Sequence, residues 1–259
     1  VDEKPDIRQL ITSRRRNRQA PERQRPVVLA CDTSTTVGSA ALVEGGVVTA
    51  ETMLQSMMSH SLRIIKDIDA MLTGRGLAMS DVDAFVTAAG PGSFTGVRIA
   101  MSTMKGLAWS MKKPLISIGT LHALAEPLLG RGVPVLVALD AKRQEVYAAL
   151  FDADGRELVA PVAVAPAAMI SNCLQVIGPD ARIICAGEGV DAYDATFDEA
   201  FAGRMTRASA WENFTRAAVL GVMGTARLKE GRFADVETVE PVYLRRSEAE
   251  ISLENRTNP

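Results

Sequence analysis

Residues 89–98 read Ala-Gly-Pro-Gly-Ser-Phe-Thr-Gly-Val-Arg, directly after the apolar run 84–89 and before a long helical pattern. A strand that enters a helix through a glycine-rich turn can present backbone N–H groups to a phosphate. The spacing, with Gly90, Pro91, Gly92, Ser93, Gly96 and Arg98, is neither the dinucleotide fingerprint nor the lysine-bearing P-loop. Ser93 lacks the flanking glycines of a nucleophile elbow, so Ser93 and Thr95 read better as helix N-cap candidates. Metal chemistry has little to draw on. The two histidines, His60 and His122, form no pair at ligand spacing, and His60 reads as a helix-start residue. No catalytic, cofactor-binding or metal-binding residue is therefore assigned.

The elements around the turn follow from hydrophobic periodicity. Strands are predicted at Val27–Asp32, 38–43, 46–53, 84–89 and 115–118, with helices over 61–72, closed by Gly74, and 94–111. A second block repeats the plan. It has strands at 133–140, 145–151 and 157–164, a helix over 166–176, a strand at 182–186 and a long final helix. Ser209 and Glu212 are placed as the capping box of that helix, and Gly231 at its end. Val28-Leu29-Ala30-Cys31-Asp32 and Leu136-Val137-Ala138-Leu139-Asp140 are both apolar strands ending in Asp, each followed by a hairpin. Two tandem βββαβα blocks imply an α/β fold of two lobes, placed at 27–119 and 120–246, with a tail at 247–259.

The chain has 259 residues and a formal net charge of −2, against a generally basic nucleic-acid-binding surface. Residues 1–26 carry eight Lys/Arg against four acids. That leader is expected to be disordered or to touch RNA as a basic arm. Cys31, Cys173 and Cys185 sit in apolar contexts without a C-x-x-C, as buried free thiols of a reducing compartment would. With no apolar run of about 18 residues and no apolar signal region, no membrane contact is expected and a cytoplasmic location is.

A two-lobed fold of this kind resembles the actin/hexokinase/Hsp70 (ASKHA) group of ATP-binding proteins. That resemblance implies small residues in both Asp-headed hairpins, where backbone amides approach nucleotide phosphates. The second hairpin instead reads Asp140-Ala141-Lys142-Arg143-Gln144-Glu145, and Ala186-Gly187-Glu188-Gly189 is at most a remnant of an adenosine-side turn.

The helices carry a different message. Over 61–72, Leu62, Ile64, Ile65, Ile68, Met71 and Leu72 spread over about half the circumference, wider than the stripe of about 100° that packing on a sheet needs. Over 94–111 one face is broadly apolar. The opposite face carries Ser102, Gly106 and Ser110 at i+4 spacing, flanked by Ile99 and Trp109. Either both faces are buried within one lobe, or the small residues admit a helix of another protein or another copy.

Five segments together resemble the TsaB (YeaZ) family: residues 28–34, 90–98, 105–108, 140–147 and Pro241-Val242-Tyr243-Leu244-Arg245. The similarity spans about residues 27–246. It implies the bacterial machinery that makes N6-threonylcarbamoyladenosine at position 37 of tRNAs reading codons that begin with A. In that machinery this family is the non-catalytic partner of TsaD, a paralogue of the same fold that it meets through first-lobe helices. A TsaE ATPase joins them. The two metal-binding histidines of TsaD align with Thr120 and Leu124 here, and His122 between them is no replacement.

The expectation is therefore a non-catalytic scaffold without a cofactor. It would bind a TsaD-like subunit and meet tRNA only through the complex, and it would form a homodimer when alone. The expected interface residues are Ile64, Ile68, Met71, Thr95, Ile99, Ser102, Gly106, Trp109 and Ser110. The alternative is an ATP-dependent small-molecule phosphotransferase using Asp32 and Asp140.

Overall fold

A computed structural model describes residues 25–55 and 61–245. Most of the basic leader, the tail and His60 lie outside the described residues. The first lobe is built on β1 (Val27–Asp32), every residue of which is buried. Such a strand belongs at the centre of a sheet covered on both faces. It pairs antiparallel with β2 (Val37–Glu44) and parallel with β4 (Ala84–Ala88). β3 (Val47–Gln55) and β5 (Leu115–Ile118) complete the order β3-β2-β1-β4-β5. The second sheet holds β6 (Val135–Lys142), β7 (Glu145–Phe151), β8 (Glu157–Val164), β9 (Ile183–Ala186) and β10 (Met205–Arg207), in the order β10-β9-β6-β7-β8. Counted from each sheet's first strand, both orders are third-second-first-fourth-fifth. The duplication read from the two Asp-headed strands is thus a duplication of topology, and the fold is the two-lobed ASKHA type.

One face of the first sheet is covered by α1 (Ser61–Arg75) and α2 (Phe94–Met111), joined in one hydrophobic cluster with Leu29, Leu42 and Phe85. Gly74 lies inside α1 and does not close it. The left-handed residue after its end is Gly76, at φ +66°. On the second sheet, α4 (Pro166–Ile177), α5 (Glu188–Ala192) and α6 (Asp194–Phe201) cover one face, and α3 (Thr120–Ala125) packs on the other. The three cysteines are buried free thiols, and burial pushes each above the ordinary thiol range, Cys173 to about 12.

The final helix, α7 (Ala217–Lys229), departs from the expected division of the chain. It packs on the first sheet, with Ala217, Ala218 and Leu220 in one cluster with Val28, Ala30, Val43 and Val86. The expected second-lobe span 120–246 therefore does not hold as one unit. The cause is the second face of the first sheet, whose Val28, Ala30, Val43 and Val86 need a cover. Gly221 and Gly224 let the helix backbone sit directly on it, since added Cβ atoms would come within 2.5 Å of Val43 and 2.4 Å of Val86.

The capping box at Ser209 is also displaced. Ser209 and Glu212 do hydrogen-bond, but they close a turn ahead of the helix. The open amides of α7 are satisfied from the first lobe instead. Ala217 N donates to Ser39 Oγ at 2.9 Å and Ala218 N to Glu51 Oε1 at 3.1 Å, while Glu51 also pairs with Arg216. A carboxylate at a helix N-terminus is favoured by the helix dipole as well as by the hydrogen bond.

Candidate partner interface

The Gly-Pro-Gly turn is closed by the loop after β1. Thr33 Oγ1 donates to Gly96 O at 2.6 Å, and Ser93 N donates to Ser34 O at 2.7 Å. A Cβ on Gly92 would stand 2.4 Å from Ser34 O, and one on Gly96 1.8 Å from Thr33 O. Ser93 caps α2 by accepting from Gly96 N at 3.2 Å, and Gly90–Pro91 is a cis peptide. The amides of Ser93, Gly96 and Val97 are all engaged within the chain. A phosphate placed there would have to compete for those donors. The turn is a packing knot that fixes where α2 begins.

The Asp-headed hairpins are likewise occupied. Asp32 is fully buried and accepts from Ser34 N at 2.8 Å. Asp140 accepts from Lys142 N at 2.8 Å and from Lys142 Nζ at 2.5 Å. That hydrogen bond holds the Lys142 ammonium above its ordinary pKa, opposed by partial desolvation. Lys142, Arg143 and Gln144 all adopt left-handed backbone, with φ of 62°, 55° and 63°. So the β6–β7 turn has the conformation glycines would give, built from long side chains. The nearby cleft of about 330 Å³ between the lobes is lined by Thr35, Thr36, Glu188, Asp191 and Asn213. Burial raises the Glu188 carboxyl above the ordinary range, and Thr36 Oγ1 lies 3.4 Å from it. Carboxylates in this position repel a polyphosphate.

Among the described residues no group of three or more His, Cys, Asp or Glu is placed to hold a metal ion. Thr120 and Leu124, at the positions of the family's histidines, are fully buried. His122 is held by Glu157 at 2.7 Å and stacks edge-on against Phe151.

The two candidate helices part company. Ile64, Ile68 and Met71 are 4%, 1% and 6% exposed and belong to the first-lobe core with Ala100 and Met104 of α2. Their assignment to an interface is corrected. Ile64, Ile68, Met71 and Leu72 are absorbed inside the lobe, because α1 packs against the sheet and shares a cluster with α2, while the side chain of Leu62 lies outside the described residues. Of the sequence-defined arc, Ile65 stays outward, 48% exposed.

The outer face of α2 is open. Thr95, Ser102, Gly106 and Ser110 are exposed, Ile99 is half-buried, and Trp109 is 61% exposed. A Cβ on Gly106 would meet nothing within 4 Å.

Sequence reasoning did not foresee the second wall of this surface. Residues 236–241 run beside α2. With Phe94, Arg98, Ile99 and Lys105 they line a groove of about 550 Å³, which continues past Ser102 and Gly106 to Trp109 in a further 440 Å³ or so. Lys105 Nζ fixes the strap by donating to the carbonyls of Glu237 at 3.0 Å and Val239 at 3.3 Å. At the head of the groove the Arg98 guanidinium lies 3.8 Å from the centre of the Phe94 ring and donates to Tyr243 Oη at 2.7 Å. The segment Pro241–Arg245 was visible as a motif, but nothing local in it tells which helix it follows.

Comparison with known proteins shows the family. A family model described as "TsaD: tRNA N6-adenosine threonylcarbamoyltransferase" matches residues 35–253. The chain is 30% identical over 226 residues to the tRNA threonylcarbamoyladenosine biosynthesis protein TsaB of Bacillus subtilis, covering 86% of this chain and 96% of that protein. It is 37% identical over 129 residues to the Escherichia coli protein of the same name, a match spanning about half of each (49% and 55%). The solved structure of YeaZ from Pseudomonas aeruginosa superposes with a TM-score of 0.67 at 27% identity, over 85% of this chain and 100% of that one. An occluded turn, an open small-residue helix face and these matches converge: the chain belongs to the TsaB (YeaZ) family, within the reach of the broader TsaD family model.

Proposed function

We propose that this chain is a non-catalytic scaffold subunit in the synthesis of threonylcarbamoyladenosine on tRNA, the process named for its TsaB relatives. Its working surface is the outer face of α2 with the strap beside it, and the partner is a TsaD-like catalytic paralogue. The observation that carries this reading is the contrast along one helix. The N-terminal turn, where a nucleotide phosphate would bind, is filled by Thr33 and Ser34, whereas Gly106 and Trp109 face open space. Small residues at i+4 spacing let two helices approach closely, and an exposed Trp at the end of the stripe supplies an anchor. A TsaE-like ATPase and tRNA would join through the catalytic subunit, and the same face would pair two copies when that subunit is missing. No helix among the described residues is long and apolar enough to cross a membrane, and a cytoplasmic setting suits the role.

Co-purification with the TsaD-like subunit, followed by a reconstituted tRNA modification assay, tests the reading. Gly106→Arg should fold as the wild type does and should lose both the partner and the stimulation of modification. Unchanged binding by this variant would overturn the interface. The phosphotransferase alternative is not favoured, because Asp140 is held by Lys142 and the cleft is lined with carboxylates.

A further inference from the structure

The end of the strap touches both lobes. Val242 N donates to Ala89 O at 2.8 Å, immediately before the signature turn, and the Tyr243 ring lies 5.1 Å from Phe94 in the first turn of α2. Two residues later the chain reaches the second lobe. One guanidinium nitrogen of Arg245 lies 3.3 Å from Ala141 O and 3.2 Å from Glu145 Oε2. Ala141 and Glu145 flank the three left-handed residues of the β6–β7 turn.

We propose that residues 241–245 form a clasp that joins the first turn of α2 to the β6–β7 turn as one mechanical unit, so that the groove is held in shape from the opposite lobe. Two physical arguments support it. From Val242 to Arg245 the backbone spans at most about 10 Å, so both ends can be anchored only with little slack between them. Left-handed backbone at consecutive non-glycine residues is costly and persists where its surroundings over-determine it. Asp140 holds the turn from within through Lys142. Arg245 holds it from outside, with charge-assisted bonds to a backbone carbonyl and a carboxylate. A shift of the second-lobe turn then pulls on Tyr243, and through it on Arg98 and Phe94.

The test is amide hydrogen exchange on the full chain, comparing wild type with Arg245→Ala. Exchange is expected to rise by roughly tenfold in two places, residues 141–146 and the distant segment 90–98. A rise confined to 141–146, or none, overturns the clasp, because Arg245 then acts only on its own neighbours. A rise spread over β1 and β6 marks general destabilisation and overturns it equally. Glu145→Gln should reproduce the two-site pattern more weakly, and Arg245→Lys should retain most of the protection. Any effect on partner affinity rests on the scaffold reading, so Trp109→Asp is measured in parallel. If that variant still binds the TsaD-like subunit, the scaffold reading falls, while the exchange data decide the clasp independently.

Discussion

Gly96 lies directly beneath Thr33, so that a methyl group on Gly96 would sit 1.8 Å from the Thr33 carbonyl oxygen. That contact sets how α2 leaves the sheet and therefore where its outer face points.

Gly96→Ala is expected to destabilise the chain by about 2–3 kcal/mol, since backbone on both sides of the contact must move. Thermal unfolding should show Tm lowered by roughly 5–10 °C. An unchanged Tm would mean that the turn yields freely.

Gly106→Ala should do the opposite. Its Cβ enters open space in the middle of a helix, so the exchange should stabilise by about 0.5–1 kcal/mol, read as a small rise in Tm. Partner binding should weaken only modestly, in contrast to the Gly106→Arg variant.

Trp109→Ala should leave Tm unchanged, because the side chain is 61% exposed. Affinity for the TsaD-like subunit, measured by calorimetry, should fall by about 2 kcal/mol, or roughly 30-fold.

Glu51→Ala removes at once the partner of Arg216 and an acceptor for the first turn of α7. The Glu51 side chain is only 12% exposed, so a loss of about 2–3 kcal/mol is expected in urea unfolding.

Burial sets the sign of the pH effect at Glu188. Its folded-state pKa is raised, so the folded chain binds this proton more tightly than the unfolded chain does. The group opposes folding above its raised pKa, and that penalty is relieved as pH falls through that value toward the ordinary glutamate range. Glu188→Gln should remove this component from a pH series of unfolding curves and be more stable than the wild type at neutral pH. A variant with the same pH slope as wild type would contradict the assignment.

Much of the architecture was legible because the signals were local. β1, α2, β5, β7 and β8 stand at the predicted limits, each marked by an uninterrupted apolar period or by a turn at its edge. The helices α5 and α6 were not predicted. They are short: α5 buries only Gly189 and Val190, and α6 the pair Phe197 and Phe201 at i+4, rather than a long stripe. The partition of the interface failed for a different reason. Periodicity reports how much of a helix is apolar but not what covers it, and the arc holding Ile64, Ile68 and Met71 is covered by the chain's own core. The strap and the cap that Glu51 gives to α7 escaped because both join residues far apart in sequence.

The return of α7 to the first sheet makes the second lobe a nested insertion, entered after β5 and left before Ala217. Among the described residues the lobes are thus tied by two covalent crossings, and a relative rotation must bend both. Cutting the chain between 119 and 120 would not yield two folding units. The front fragment would lose the helix covering Val28, Ala30 and Val86, and that bare sheet face would invite aggregation.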